Sequence, residues 1–510
     1  MTGKTPLLSN ISRLIDEADR RNRLQDGLSR RHFLRRGTAA LAAGAALAAL
    51  PASTFPSAAS ASSQPKITIV GAGIAGLNAA WYLQRAGLNA TVYEGSDRIG
   101  GRIWSGHDIM GPGLTTEIGG EFIDSGHKEM LRLTRRFDLD LIDVEAHSER
   151  DLIKTFHFGG ASKTEDEVIE AFRPLAAVIA QDQQDVVLND YTDYNERAFE
   201  LDHTALSDYL TQIGATGFIR DLLDVAYLTE YGCETEQQSA LNLVFLIGTK
   251  TNHGFQEFGA SDQRCKVMGG NDRVTSAIAN DLDRPVRLGH RLVAVRPDGD
   301  GFICTFETAS GVREVATDVL LLTLPFSVLR HIDLDVTVPT VVRRYIDECG
   351  YGTNSKLVIG FDRRYWRDAG KNGLFFTDLA LQSGWDSSQL QPGHRGSLTV
   401  YTGGDQGVAV GQGTVGHQRD LALPMLEQLF PGATSHHNDR AFRFVWPEHE
   451  WSRGSYTCFS PGQYTAFIGS AAPVGNLFFA GEHLSFDFQG YMEGGAVTGK
   501  EAARQIAALI

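Results

Sequence analysis

The feature that most constrains this chain is a short apolar run that ends in three closely spaced glycines. Residues 67–70 read Ile-Thr-Ile-Val, residues 71–76 read Gly-Ala-Gly-Ile-Ala-Gly, and a helix-like segment follows over residues 77–85. In a strand–turn–helix unit Gly71 permits the tight turn, Gly73 lets a pyrophosphate approach the backbone, and Gly76 permits close strand–helix packing. The pattern therefore predicts a dinucleotide-binding βαβ unit, with Ile74 and Ala75 at the start of its helix.

A second strand-like run, Ala90–Tyr93, is followed by Glu94, which lies 23 residues after the first glycine. A carboxylate at this distance is placed to accept a hydrogen bond from a ribose hydroxyl, with Gly95 next to it. The motif alone fits either NAD or FAD. The glycine pair that ends in Gly101, followed by Arg102, favours FAD.

The first 61 residues predict an export signal. Residues 29–34 read Ser-Arg-Arg-His-Phe-Leu, an Ala-rich stretch covers residues 38–50, and residues 59–61 offer a small-residue cleavage site. This order is typical of a twin-arginine signal, so we expect a mature chain that begins near Ser62 and lies in the periplasm or outside a bacterial cell. A membrane anchor is the alternative, but the apolar stretch is too short to span a bilayer.

The net charge of the predicted mature chain limits the classes of molecule that it can bind. Residues 1–36 hold nine basic and four acidic residues, so the remainder carries 38 basic against 58 acidic side chains, a net charge of −20. Such a surface argues against nucleic acid and anionic membranes and leaves cationic substrates such as amines open. The five cysteines are scattered and show no zinc-ligand spacing, so we expect no metal site and mostly buried thiols.

Further motifs follow the fingerprint in a characteristic order. They are Gly100-Gly101-Arg102, Gly119-Gly120-Glu121-Phe122, Lys356 with Trp366, Trp446, Arg453-Gly454-Ser455-Tyr456, Phe479-Ala480-Gly481-Glu482 and Gly490-Tyr491-Met492-Glu493-Gly494. In this order the chain resembles the flavin-containing amine oxidase family, which includes monoamine oxidases, polyamine oxidases and L-amino acid oxidases. The resemblance covers residues 66–510.

The resemblance implies an α/β fold of two domains that are each built from separate segments. We expect a Rossmann-like FAD-binding domain from residues 66–140, 266–345 and 446–510. Residues 141–265 and 346–445 then form a substrate-binding domain of mixed sheet and helices. Within it, residues 165–250 are mainly helical, with one helix candidate over residues 205–228.

The resemblance also implies the chemistry, which is hydride transfer from the α-carbon of an amine to N5 of the flavin, followed by hydrolysis of the imine. Tyr456 and Tyr491 resemble the two aromatic residues that flank the substrate amine, although each alone could be core packing. Ser455 stands where monoamine oxidases carry the cysteine that is bonded to the flavin. Because serine forms no thioether, we expect non-covalent FAD.

Lys356 interrupts an apolar strand and is the first candidate for a catalytic residue. Strand alternation places it on the same face as Val358, opposite Leu357 and Ile359. An edge-strand lysine facing water is the plain alternative. The resemblance favours a functional role, since Lys356 precedes Trp366 by ten positions, as the family lysine does, and that lysine holds a water against flavin N5.

Other cofactor contacts follow from the same resemblance. The N-terminus of a last helix near Met492 would direct backbone donors toward the flavin N1/O2 side. Glu482 resembles the acid near the ribityl–pyrophosphate portion, and Val293 the residue whose backbone contacts the adenine end. The remaining residues assigned to the cofactor are Gly119, Gly120, Glu121, Phe122, Trp446, Gly481 and Tyr491.

Phe122 departs from the pattern. L-Amino acid oxidases that resemble this family place an arginine there, which holds the substrate carboxylate. An apolar ring cannot do so, and primary amines without an α-carboxylate are therefore favoured as substrates. The neighbouring Glu121 either meets a distal cation of the substrate or, more simply, accepts local hydrogen bonds.

Several functions stay open at this point. The favoured one is an exported amine oxidase that releases aldehyde, ammonia and hydrogen peroxide. An L-amino acid oxidase or dehydrogenase is the alternative, followed by a desaturase or porphyrinogen-type oxidase and by a flavin-binding protein without activity. The sequence does not distinguish oxygen from a quinone as electron acceptor, and it leaves a homodimer open.

Overall fold

The computed structural model describes residues 65–252 and 254–510. The predicted twin-arginine signal and its cleavage site lie outside these residues. The helices of the described chain are α1 Ile74–Arg85, α2 Lys128–Arg136, α3 Glu165–Asp185, α4 Glu196–Asp202, α5 Leu206–Gln212, α6 Phe218–Tyr231, α7 Leu241–Leu246, α8 Asp272–Asn280, α9 Phe326–Leu329, α10 Thr340–Glu348, α11 Gly404–Ala409, α12 Val415–Leu429, α13 Ala433–His436, α14 Gln463–Phe467 and α15 Met492–Leu509.

The strands form several sheets. They are β1 Ile67–Val70, β2 Ala90–Tyr93, β3 Ser105–His107, β4 Thr115–Glu117, β5 Leu141–Asp143, β6 Ile153–Phe158, β7 Ala161–Lys163, β8 Leu188–Asp190, β9 Asp193–Tyr194, β10 Cys265–Val267, β11 Arg291–Asp298, β12 Gly301–Thr308, β13 Gly311–Thr317, β14 Val319–Leu322, β15 Asp333–Leu334, β16 Ser355–Phe361, β17 Lys371–Thr377, β18 Ser383–Asp386, β19 Gly396–Thr402, β20 His437–Val445 and β21 Leu477–Phe479.

A parallel four-stranded sheet in the order β2-β1-β14-β21 carries the fingerprint. Strands β1, β14 and β21 are buried along their whole length, as their continuous apolar runs predict for a parallel sheet covered on both faces. Helices α1 and α15 pack against each other beside this sheet. The predicted α/β class and the predicted βαβ unit are confirmed.

A second sheet has the strand order β13-β12-β11-β15. Its first hairpin joins β11 to β12 through a turn in which Gly299 has a φ of +61°, as expected of the Pro-Asp-Gly-Asp-Gly sequence. The pairing shifts register between Leu292 and Ala294. This bulge releases Val293 from the regular ladder at the position that the resemblance assigns to the adenine end.

A seven-stranded mixed sheet in the order β20-β16-β19-β18-β17-β6-β7 forms the largest layer. Strand β16 lies between β20 and β19, and all seven of its residues are buried. Leu357 and Ile359 pack into one apolar cluster and Val358 into another, so Lys356 shares the face of Val358 as predicted. The alternative of an edge strand with Lys356 facing water is wrong.

The helical region between β7 and β10 contains one difference from the sequence prediction. Residues 205–228 are not one helix, because α5 ends at Gln212 and α6 begins at Phe218. Gly214 and Gly217 lie between them with φ of +82° and +64°. Backbone of this kind cannot continue a right-handed helix, and the resulting turn directs the C-terminal end of α6 toward the large cavity described below.

The sheets follow the predicted segments. Strands of the first two sheets come from residues 66–140, 266–345 and 446–510, and strands of the seven-stranded sheet from residues 141–265 and 346–445. The domain boundaries themselves stay a prediction. Among the described helices, none combines the length and the apolar character that a bilayer span requires. Of the cysteines, Cys304, Cys349 and Cys458 are buried free thiols, and Cys233 and Cys265 are partly exposed free thiols.

Candidate active site

One large cavity brings together segments that are far apart in sequence. Every residue predicted above to bind the cofactor or to act in catalysis lines this cavity, with Gly76 as the exception. Gly76 lies behind the turn, where an added Cβ would overlap the carbonyl oxygen of Gly71. Its role is therefore close packing, which the fingerprint requires of its third glycine.

The fingerprint turn opens toward the cavity at Gly73. A Cβ there would meet only the Cα of Gly101, at 4.0 Å, and Gly101 itself has a φ of +57°. Gly73 is the N-cap of α1 and has no side-chain cap, so donors of the first helical turn remain for a ligand. An uncapped helix N-terminus beside a glycine surface is suited to a pyrophosphate.

Glu94 holds the turn together. Its Oε2 accepts a hydrogen bond from the Ala72 N–H at 2.8 Å, and its Oε1 accepts from the Ser96 N–H and Oγ at 2.9 Å each. A carboxylate has about four acceptor positions, so these bonds leave capacity for a ribose hydroxyl. The residue both lines the cavity and fixes the loop around it.

Arg102 and Glu482 form an ion pair at the cavity wall. Arg102 Nη1 donates to Glu482 Oε1 at 2.6 Å and to the Ser455 carbonyl at 3.1 Å, while the Gly490 N–H donates to Glu482 Oε2 at 2.7 Å. Burial alone raises the pKa of Glu482, but Arg102 and the hydrogen bonds outweigh it and hold the pKa below its usual value. The pair ties the motif at residue 102 to the two C-terminal motifs.

The last helix also begins at the cavity. Its N-cap, Tyr491, provides no side-chain cap, and Met492 and Gly495 line the cavity directly. Two uncapped helix N-termini, those of α1 and α15, thus face one space. Their partial positive charges suit the pyrophosphate and the electron-rich edge of a flavin, so the residues present fit FAD.

Lys356 extends from β16 into the wall of the cavity. Its Nζ donates to the carbonyl oxygens of Glu117 and Gly119, both at 2.9 Å, and to Glu121 Oε2 at 3.0 Å. An ammonium group has three donors, and these acceptors account for all of them. A water held by Lys356, as the resemblance implies, would therefore have to share a donor with one of these partners.

Glu121 bridges two lysines. Its Oε1 lies 3.2 Å from Lys266 Nζ, and all three side chains are buried. Burial raises the pKa of Glu121, but Lys356 and Lys266 outweigh it and lower the pKa below its usual value. Of the two roles considered for Glu121, the structure places it in local contacts rather than free for a distal substrate cation.

Lys266 was not among the residues that the sequence pointed to. Its position between Cys265 and Val267 in an apolar run is the one signal that pointed to burial. Its partner lies 145 positions away in sequence, and no spacing rule connects them.

Tyr456 and Tyr491, which we call the cage tyrosines, lie in a network of hydrogen-bonded hydroxyl groups. Tyr456 Oη lies 2.9 Å from Tyr401 Oη and donates to the backbone oxygen of Glu230. Tyr491 Oη donates to Glu230 Oε1 at 3.0 Å. Burial raises the pKa of both cage tyrosines well above its usual value, so they stay neutral. Tyr401 and Glu230, which carried no recognisable motif, complete the group.

Phe122 lies against Trp385 in an edge contact, with ring centroids 5.6 Å apart. With Glu121, Asp124, Glu230, Lys356, Trp385, Tyr401 and the two cage tyrosines it forms what we call the substrate end of the cavity. None of these lining residues is an arginine. The arginines that do line the cavity in the described chain are Arg98, Arg102, Arg291 and Arg453, from the segments assigned to the cofactor.

Ser455 also lines the cavity and is buried. Its Oγ donates to Asn354 Oδ1 at 2.6 Å. The hydroxyl therefore has a structural partner, and the residue lacks the thiol that a thioether requires.

Comparisons with known proteins agree with this geometry. The sequence profile described as flavin-containing amine oxidoreductase matches residues 74–507. An L-amino acid dehydrogenase of Synechocystis is 25% identical over 469 residues, which cover 87% of this chain and 94% of that protein. An L-amino-acid oxidase of Demansia vestigiata is 23% identical, covering 87% of each chain.

Solved structures show the same fold. Cyclohexylamine oxidase of Brevibacterium oxydans has a TM-score of 0.77 at 23% identity, covering 88% of this chain and 99% of that one. A wild-type putrescine oxidase bound to putrescine has a TM-score of 0.75 at 21% identity, with the same coverage. At these identities the likeness establishes the architecture.

Proposed function

Because the chain belongs to the family of flavin-containing amine oxidoreductases, we propose that it oxidises primary amines that lack an α-carboxylate. The products are an imine that hydrolyses to an aldehyde and ammonia, and hydrogen peroxide when oxygen is the acceptor. FAD, held without a covalent bond, accepts the hydride when it is bound. The chain's own residues bind the amine, orient it and keep water out.

Tyr456 and Tyr491 line the substrate end as two neutral, half-buried rings. We call the space beside these two rings the slot, and its apolar surface favours an alkyl amine, while the electron-rich rings attract a partially positive nitrogen. An amine must be neutral to lose hydride, and burial in this slot lowers the pKa of an ammonium group by desolvation. The two tyrosines thus both position the substrate and favour its reactive form.

One observation carries the choice of substrate class. The substrate end contains Phe122 where a carboxylate clamp would need an arginine, and no arginine lies among its lining residues. An α-carboxylate brought there would meet the carboxylate of Glu230, which has no cationic partner among the described residues, as a like charge. Removing a carboxylate from water without a cationic partner is costly, so amino acids are disfavoured.

An L-amino acid oxidase or dehydrogenase remains the second candidate, because relatives of that activity match most of the chain. Lys356 is the one cation that lines the substrate end, and its donors are used by protein acceptors. A substrate carboxylate would have to displace one of those acceptors.

The test is anaerobic bleaching of the FAD-loaded protein with a panel of matched substrates, such as butylamine against L-norvaline and benzylamine against L-phenylglycine. We expect rapid bleaching by the amines and slow or absent bleaching by the amino acids. Bleaching by the amino acids alone would establish the second candidate. A peroxide assay in air then separates oxygen from a quinone as acceptor, since a quinone-dependent protein bleaches without releasing peroxide.

We further propose export by the twin-arginine route, on the strength of the Ser-Arg-Arg-His-Phe-Leu motif and the cleavage site after it. A protein that incorporates FAD in the cytoplasm must cross the membrane folded, which this route allows. Replacing Arg30 and Arg31 by lysine should leave the protein, with its flavin, in the cytoplasmic fraction. Unchanged export of that variant would contradict the proposal.

A further inference from the structure

Glu230 lies one residue from the C-terminal end of α6, at the substrate end of the cavity. The glycine turn between α5 and α6 sets the direction of this helix. The backbone oxygen of Glu230 accepts from Tyr456 Oη, and its Oε1 accepts from Tyr491 Oη at 3.0 Å. This single residue therefore touches both cage tyrosines.

The carboxylate of Glu230 lacks the cationic partner that two other carboxylates of the cavity have. Glu121 has two lysines, and Glu482 has Arg102. Glu230 has the Tyr491 hydroxyl, and within residues 65–252 and 254–510 its carboxylate makes no other hydrogen bond and no ion pair.

The surroundings make the lack of a cationic partner costly. Burial, with a contribution from the nearby acids Asp124 and Glu257, raises the pKa of Glu230 to about 7 against the hydrogen bond from Tyr491. A half-buried carboxylate without a cationic partner becomes unfavourable when a ligand excludes water from it, unless that ligand brings a cation. The charge that would complete the site is positive, and the cavity is the route by which it can arrive.

The position of the carboxylate separates two roles. The Tyr491 hydroxyl stands between its own ring and Glu230, so the carboxylate lies beyond the hydroxyl edge of that ring. An amine held against the rings therefore leaves Glu230 placed for a second group further along the same molecule. A charge-assisted hydrogen bond to that group would be strong once the substrate has displaced water from the site.

We propose that Glu230 selects substrates with a second cationic nitrogen, such as diamines, by pairing with the ammonium group that does not react. The inference rests on the proposed amine oxidation and adds the class of amine. It assigns to Glu230 the role that Glu121 cannot fill, because Glu121 is already neutralised by Lys356 and Lys266.

The experiment compares matched pairs that differ only in the second ammonium group: 1,4-diaminobutane with butylamine, and 1,5-diaminopentane with pentylamine. The readout is kcat/KM with the FAD-loaded full chain, together with the rate of anaerobic bleaching. The wild-type protein should prefer the diamine of at least one pair by tenfold or more. Glu230→Gln, which keeps the size and the acceptor for Tyr491, should reduce the ratio of diamine to monoamine kcat/KM at least tenfold, mainly through the KM of the diamine.

Glu236→Gln is the matched control, since it removes the same charge from an exposed position six residues away. It should leave the preference unchanged. An equal loss for diamine and monoamine in Glu230→Gln, with a shifted pH profile of kcat, would overturn the inference in favour of a proton-acceptor role at the reacting amine. A wild-type protein without preference for either diamine would also overturn it.

Failure of the proposed function would give a different set of results from failure of the role proposed for Glu230. If amines leave the flavin oxidised while amino acids bleach it, the substrate class is wrong, but the same comparison can be made with L-lysine and L-norleucine. A preference for lysine that is lost in Glu230→Gln would still support the role of Glu230. Equal rates for the two amino acids would overturn it.

Discussion

Lys356 and Lys266 are two buried ammonium groups that share one carboxylate, yet their surroundings differ. Lys356 lines the cavity, 5.2 Å from the Trp385 ring centroid, whereas Lys266 does not line it and lies 5.4 Å from the Phe122 ring centroid. Position in the cavity wall, rather than burial or ion pairing, therefore distinguishes a residue that can influence the reaction from one that supports it.

Replacing Lys356 by methionine should slow turnover at least tenfold, because a positive charge beside the reacting groups is lost. Lys266→Met is the matched control, since it removes an equally buried partner of Glu121. We expect Lys266→Met to lower the free energy of unfolding while turnover per bound flavin stays within about threefold. Equal losses of turnover in the two variants would show that Lys356 acts only through stability.

Glu117 should make stability depend on pH. Burial raises its pKa to about 8, against hydrogen bonds from Ser105 and the Asn271 N–H. The unfolded chain loses this proton near pH 4.5 and the folded protein only near pH 8, so the folded state binds more protons between these values. The stability that Glu117 contributes is present in full below pH 4.5 and is lost as the pH rises to 8, by about 1.4 kcal/mol per pH unit.

Glu117→Gln removes that slope. The free energy of unfolding by urea, measured at pH 6 and pH 8, should fall less with pH in the variant than in the wild-type protein. Parallel decreases in the two proteins would contradict the raised pKa.

Sequence reasoning found residues that carry a motif and missed residues that depend on the fold. Gly71, Arg102 and Tyr491 each stand in a recognisable pattern, and all line the cavity. Glu230 sits in a helix without any pattern, and its partners come from 226 and 261 positions later in the chain. No local spacing could have identified it.

Helices α1 and α15 show how two elements build a ligand site through close approach. A Cβ on Gly499 would overlap the Ala75 backbone, and one on Gly495 would meet Ile74 Cγ2 at 2.8 Å. The glycines in the last helix weaken its intrinsic stability but allow the two axes to come close. Both N-termini then open on the same cavity.

Gly499→Ala should therefore lower both the free energy of unfolding and the affinity for FAD, because the helices must separate. Gly416 also lies in a helix, and a Cβ added there would meet only Thr414 Oγ1, at 3.9 Å. Gly416→Ala is therefore the matched control. It should leave FAD affinity unchanged and stability unchanged or slightly higher, as expected of alanine in a helix. If Gly499→Ala binds FAD with the affinity of the wild-type protein, close packing of the two helices is not what builds the FAD site.

The bounds of elements were predictable where the signal was local. The helix expected near Met492 and the strand Ala90–Tyr93 occur where the sequence placed them. The break between α5 and α6 was not predicted, since one helix was expected over residues 205–228, which include Gly214 and Gly217. The left-handed conformation at both glycines decides the outcome there.

At the scale of the whole molecule, the cavity is assembled from three separate parts of the chain on one side and from the seven-stranded sheet and α6 on the other. Among the described residues, those that line it lie between Val70 and Gly495 in the sequence. The chain of residues 62–510 should thus fold and bind FAD when it is made without residues 1–61.

The measurement is FAD titration and thermal unfolding of residues 62–510 beside the full chain. Both should bind FAD with similar affinity, and FAD at a hundred times its dissociation constant should stabilise each by about 2.7 kcal/mol. A shorter chain that fails to bind FAD while the full chain binds it would contradict the expectation.

The packing of α15 on α1 has a consequence for synthesis. A ribosome adds Ile74 to the chain 421 residues before Gly495, so the fingerprint turn emerges long before the helix that must lie beside it. The cradle for the dinucleotide stays incomplete until α15 has been made, so we expect a nascent chain that stops before Met492 to retain FAD poorly.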